Sequence, residues 1–150
     1  MMTSDLASST ALVLRLVLAA ALAAPLGWER ERAGKSAGLR THMLVCLAAA
    51  FYTALGVAAV EDARAQDPDL RADPIRIIQA IAIGVGFLGG GMITKSDGEV
   101  SGLTTAASIW STAAIGIACG LGHVVLAIAV TALQLVVVHV FYRFEPRRDI

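Results

Sequence analysis

The sequence predicts an all-α, polytopic membrane protein of five transmembrane helices forming one domain over residues 1–150. Three observations predict it. The 150 residues are 57% hydrophobic and 16% charged, against about half and about one quarter in soluble domains, and the mean hydropathy is +0.71. Uncharged stretches long enough for a bilayer recur: 20 positions between Arg40 and Glu61, 18 between Arg76 and Lys95, and 43 between Glu99 and Arg143. About 20 residues of helix cross roughly 30 Å of hydrocarbon, so the longest stretch holds two crossings. Finally, the basic residues gather on alternate connections, as short cytoplasmic loops require. The 12 basic and 12 acidic residues cancel, which leaves no global charge to draw nucleic acid.

The first span covers about residues 6–27, interrupted only by Arg15. Leu22-Ala23-Ala24 has the look of a signal cleavage site, but the leader carries Asp5, has no Lys or Arg before Arg15, and meets Pro25 where a mature chain would begin. A retained helix is therefore expected. Arg15 at the midplane would cost about 2.5 to 3.5 kcal/mol. No carboxylate lies inside the five spans, so a partner must come from a boundary, and Asp73 is the expected one. Snorkelling to the headgroups is the alternative.

The connection Gly27–His42 alternates charge between glycines, and a compact turn is expected there. Its Glu29 and Glu31 are of the type that holds a hydrated Mg²⁺, which takes one or two carboxylates plus water, although Arg30 and Arg32 can neutralise them instead. The second span runs over about 41–60 and the third over about 75–94. Asp73-Pro74 reads as an N-cap acid before a first-turn proline. Gly84 to Gly89 spells G-x-G-x-x-G, but inside an apolar span rather than between a strand and a helix, so it is no nucleotide site. Gly89-Gly90-Gly91 can either pack closely or loosen the helix and turn carbonyls toward a cavity.

The fourth span, about 101–119, places Thr104, Ser108, Thr112, Gly116 and Gly120 at four-residue spacing, and the third repeats the device with Ala82, Gly86, Gly90 and Thr94. In lipid, small faces are what let helices approach, so the third and fourth spans are expected to form the tight centre. Gly120-Leu121-Gly122 turns the chain into the fifth span, about 123–142, which is mostly Val, Leu and Ile with Gln134 as its strongly polar mid-span residue. An outer, lipid-facing position follows for it.

Arg30, Arg32, Lys35 and Arg40 occupy the first connection, Lys95 the third, and Arg143, Arg147 and Arg148 the tail. Five spans with the N-terminus outside put all of them on the cytoplasmic side. Cys46 and Cys119 then fall at opposite depths, too far apart for a disulfide. His42/Cys46 and Cys119/His123 have metal-pair spacing, but each falls short of a closed zinc shell.

Glu29-Arg30-Glu31, Gly34-Lys35, Ala37 to His42 including Arg40, Asp73 with Arg76 and Gln79, Gly84 to Ile93, and Gly102 to Ala107 including Thr104 and Thr105, with Trp110, together resemble the MgtC/SapB family of bacterial inner-membrane proteins. The pattern covers nearly the whole chain. Trp28 stands where the family usually has an aliphatic residue. The resemblance implies a five-helix membrane protein tied to growth under magnesium limitation and, in pathogens, to survival in phagocytes. It also implies partners among inner-membrane proteins such as the rotary ATP synthase. Set beside the virulence-associated members, the chain looks like a short form without their C-terminal cytoplasmic domain.

Two functions follow as expectations. One is a non-enzymatic membrane protein that acts through small-residue helix contacts with itself, as a homodimer, or with other proteins of the bilayer. The alternative is an ion transporter or channel along the third and fourth spans, with Arg15, Asp73, Arg76 and Gln79 at its outer mouth. The absence of a midplane acid favours the first, because Mg²⁺ gives up its water reluctantly. No catalytic constellation shares a plausible depth, so no enzyme is expected. Nor is a cofactor, Mg²⁺ being the one ion left open.

Overall fold

In the computed structural model, which describes the backbone of residues 2–96 and 98–142 and the side chains of residues 9–96 and 98–140, the chain begins with a long helix, α1 (Met2–Arg32). Pro25 lies inside it. The helix thus continues past Gly27, where the first span was expected to end, and carries Glu29, Arg30 and Glu31 as helical residues rather than loop residues. The turn itself is only Ala33–Gly38, and α2 (Leu39–Gln66) follows at once. Gly27 makes this tight return feasible: a Cβ there would lie 2.6 Å from the Leu39 Cα.

The next helix, α3 (Ile75–Gly90), has 16 residues and stops short of the expected end at 94. Thr94–Ser96 (β1) and Glu99–Ser101 (β2) instead pair antiparallel, Thr94 opposite Ser101, as a small hairpin. Asp97-Gly98, a dipeptide typical of two-residue hairpin turns, is the sequence signal for it. Gly102 then adopts φ +85°, a left-handed conformation that glycine takes without steric cost, and α4 (Leu103–Gly120) begins. A turn through Gly122 leads to α5 (Val124–Tyr142). The expected all-α class is met by a mostly helical chain with one hairpin. Among the described residues α1, α2 and α4 are long and apolar enough to cross a membrane, and α3 and α5 are shorter apolar helices. Arg143, Arg147 and Arg148, on which the orientation partly rested, lie outside the described residues.

The helix at the centre is α4, which touches all four others. Its small face closes on α2 and not, as expected, on α3. A Cβ on Gly116 would collide with the Cys46 carbonyl oxygen, and one on Gly120 would sit 2.5 Å from the Ala50 carbonyl oxygen. Around this contact Ala19, Ala23 and Leu26 of α1, Ile115 and Cys119 of α4, and Ala127 of α5 complete the core. Both cysteines are buried there and unbridged. By contrast, α3 leans on α4 chiefly through Gly89 against Ala106, and around Gly86 and Gly90 nothing lies within 4 Å of an added Cβ. Gly86 and Gly90 of the α3 stripe are therefore exposed and border an open pocket beside α4 rather than closing on it. One face of α5 is buried through Ala127, Thr131 and Val138, while Val125, Leu126 and Leu133 are exposed.

This asymmetry is testable by thermal unfolding in detergent. Gly116→Leu forces backbone apart and is expected to cost about 3 kcal/mol or more. Gly86→Ala faces open space in mid-helix and is expected to stabilise by about 0.5 to 1 kcal/mol.

Candidate functional site

The polar residues singled out in the sequence separate into three places. The first is the turn between α1 and α2. Arg30 is 2% exposed, and a buried guanidinium needs a compensating anion. Glu29 supplies it with both oxygens: Nε of Arg30 donates to Oε2, and Nη2 donates to Oε1 at 2.8 Å. Glu31 points elsewhere. Its Oε2 accepts the Leu39 N–H at 2.9 Å, placing a carboxylate on the positive end of α2 where the helix dipole favours it. The two acids thus serve different donors of the chain and do not converge as a magnesium-holding pair. Among the described residues no group of three or more His, Cys, Asp or Glu is placed to hold a metal. Arg40 is exposed in the first turn of α2, Lys35 lies in the turn and its N–H bonds the Arg30 carbonyl, and Arg32 stacks 5.4 Å over Trp28.

From this turn a polar chain enters the bundle. His42 is fully buried, and its Nδ1 stands 2.9 Å from the Gly38 carbonyl oxygen while Nε2 stands 3.2 Å from Ser108 Oγ. A carbonyl only accepts, so Nδ1 carries a proton and, in the neutral ring, Nε2 accepts the Ser108 hydroxyl. That hydroxyl has a second acceptor, the Thr105 carbonyl at 2.8 Å. One proton rotor therefore chooses between ring and backbone. The Ser108 carbonyl next collects Thr112 Oγ1 at 2.7 Å and Gln134 Nε2 at 3.0 Å. Gln134 Oε1 is buried and has no partner among the described residues. With both ring nitrogens engaged, His42 does not pair with Cys46 as a ligand. Gln134 was missing from the expected site set, although a lone amide in an apolar span is the signal that marks such a residue.

The second place is the opposite end of α4. Arg15 does not pair with Asp73. Its Nη1 donates to the Gly120 carbonyl at 3.5 Å, and its guanidinium packs on Gly122. Because α1 and α4 run antiparallel, Arg15 lands on the carbonyl-rich C-terminus of α4, where a cation is favoured, and it has no need of an acid. Asp73 spends its Oδ1 on the Ile75 N–H at 2.9 Å, starting α3. Asp73, Arg76 and Gln79 are all exposed there.

The third place is the far end of α3. Gly86, Gly89 and Gly90, with Ala106, Ala107 and the half-exposed Trp110, surround a pocket of about 370 Å³. Gly91 continues the helix end with φ −65°. Of the fourth-span stripe, Thr104 is exposed, whereas Ser108 and Thr112, with the neighbouring Thr105, are buried. Among the described residues no carboxylate joins the polar chain inside the bundle, so it offers hydroxyls, an amide and one imidazole. These are groups that pass or reorient protons more readily than they strip water from a divalent cation.

Glu29→Gln leaves Arg30 buried beside a neutral amide, and unfolding in detergent should show a loss of about 3 kcal/mol. Glu31→Gln keeps an acceptor for Leu39 in an exposed position and should cost under about 1 kcal/mol in the same measurement.

Comparison with known proteins places this arrangement. The chain is 40% identical over 135 residues to "Putative magnesium transporter YhiD" of Escherichia coli K12, covering 90% of this chain and 62% of that protein. It is 38% identical over 139 residues to Protein SrpB of Synechococcus elongatus, covering 87% and 75% of the two chains. With Protein MgtC of Salmonella typhimurium it shares 39% over 123 residues, 82% of this chain and 49% of that one. The chain thus spans about half to two thirds of the length of most of these relatives. No solved structure matches it. A family model described as MgtC family matches residues 16–147, and with relatives of this identity the chain belongs to the MgtC family of membrane proteins.

Proposed function

We propose that the chain is a non-enzymatic protein of the bacterial inner membrane, connected with adaptation to magnesium limitation, that acts by helix contacts with itself or with other membrane proteins. The observation that carries this reading is the face of α3. Gly86 and Gly90 present a small-residue stripe with open space around them, and such a stripe in lipid is the surface on which another helix packs closely. The closed α2–α4 contact and the acid-free polar chain support the same reading, because neither offers Mg²⁺ a replacement for its water. All five helices cross the bilayer in this proposal, the N-terminus outside and the α1–α2 turn, the hairpin and the C-terminus cytoplasmic. A two-fold dimer through α3 is the simplest assembly. The ATP synthase implied by the family resemblance is one partner to seek.

A second reading has its own support. One relative is named for magnesium transport, and the pocket at Gly86, Gly89 and Gly90 lies on the pathway that reading would use.

Purified chain in liposomes loaded with a Mg²⁺ reporter is expected to show no flux above protein-free vesicles. Crosslinking in the same vesicles should yield a dimer that Gly86→Leu removes without unfolding the chain. Flux that Asp73→Asn or Gly90→Leu abolishes would establish the transport reading instead.

A further inference from the structure

The contact-acting reading leaves one large feature of the molecule unused. α2 and α3 touch at one end, where a Cβ on Gly56 would lie 2.6 Å from the Ile77 side chain. Below that point they diverge and leave a groove of about 810 Å³ running from Tyr52 and Arg76 down to Leu44 and Leu88. Between these limits its walls include Ala48, Ile81 and Gly84. At 1.5 Å per residue the groove is about 12 Å long on α2 and about 18 Å long on α3. One leaflet of hydrocarbon is about 15 Å deep, half of the roughly 30 Å core. An acyl chain is the apolar object of that length. Its walls mix Ala48, Ala49, Ala80 and Gly84 with Leu, Ile and Val, an uneven lining that a flexible acyl chain follows more readily than a second copy's rigid helix.

The mouth of the groove has matching charge. Arg76 is exposed, and its guanidinium has neither an ion pair nor a hydrogen bond among the described residues. Arg71 and the carboxylates of Asp67, Asp69 and Asp73 lie on the exposed segment just before it. A lone cation at the groove, preceded by an excess of acid, suits a headgroup that carries both a phosphate and a primary ammonium. A purely anionic headgroup would meet the carboxylates unfavourably. Arg binds phosphate oxygens with charge-assisted hydrogen bonds, and an ammonium can donate to Asp73. We propose that the α2–α3 groove binds one phosphatidylethanolamine molecule, its acyl chain between the helices, its phosphate on Arg76 and its ammonium toward Asp73. This rests only on α2 and α3 lying in the bilayer, and it holds whether the protein acts by contact or by transport.

The test is native mass spectrometry of the purified full chain, titrated in detergent with phosphatidylethanolamine, phosphatidylcholine or phosphatidylglycerol of identical acyl chains. One phosphatidylethanolamine per chain is expected to be retained in preference to the other two. Arg76→Gln should weaken its retention about tenfold, the loss of one charge-assisted contact. Gly84→Leu is built into open space, since nothing lies within 4 Å of a Cβ there, so it should fold normally and expel the lipid by filling the groove. Equal retention of all three lipids, stronger retention of phosphatidylglycerol, or indifference to both variants would overturn the proposal. So would a Gly84→Leu chain that loses its dimer and keeps its lipid, because the groove would then belong to a second copy.

Discussion

Close approach of α4 to α2 is the constraint on which the other features depend. Two glycines put the α4 backbone against the Cys46 and Ala50 carbonyls of α2, nearer than any side chain would permit. Once that distance is fixed, His42 three residues into α2 stands opposite Ser108. The Thr105, Ser108 and Thr112 side chains of α4 are then buried, and the Gly120 terminus falls level with Arg15 of α1. Loosening the contact would move every polar partnership in the bundle together. In a bilayer there is no water to press the helices together, so geometric fit and internal hydrogen bonds must hold the arrangement.

The charges respond to the same constraint by gathering at the two rims. At one rim Arg30 is enclosed with Glu29 while Glu31 caps the next helix. At the other, Arg15 meets a helix terminus and Arg76 stands open. Between the rims the buried polar groups among the described residues are uncharged hydroxyls, the Gln134 amide oxygen and an imidazole. Two open grooves border α3, which packs mainly on α4 and α2.

Much of this was legible in the residues. Hydropathy and the spacing of charges located five helices, and the MgtC resemblance was readable in ordered motifs from Glu29 to Trp110. The two small-residue stripes were visible too. What periodicity could not say was which helix each stripe faced, because Gly116 and Gly86 look alike until the neighbouring helix is placed. Helix ends were less legible: the first span was expected to end at Gly27, where charge begins, yet α1 continues to Arg32 with its last turns packed against the start of α2. Arg15 was assigned to Asp73 because an acid is the obvious answer to a buried cation. A helix terminus offers backbone carbonyls to the same cation, and no residue letter records them. Thr94 was counted as helical through its spacing, while the Asp97-Gly98 turn signal beside it pointed to the hairpin that forms.

The helices differ in length, and the surrounding lipid has to adapt. α2 rises about 42 Å over 28 residues, whereas α3 rises about 24 Å over 16. What a bilayer covers is the apolar length: the uncharged stretch of α2 between Arg40 and Glu61 rises about 30 Å, so in the five-span proposal the α3 flank is about 6 Å the shorter. Lipids beside α3 must shorten or tilt to cover it, at a modest cost for each ångström. In the proposed dimer that cost would fall, because two such flanks would share one compressed annulus, and the same strain would disfavour the chain in thicker bilayers.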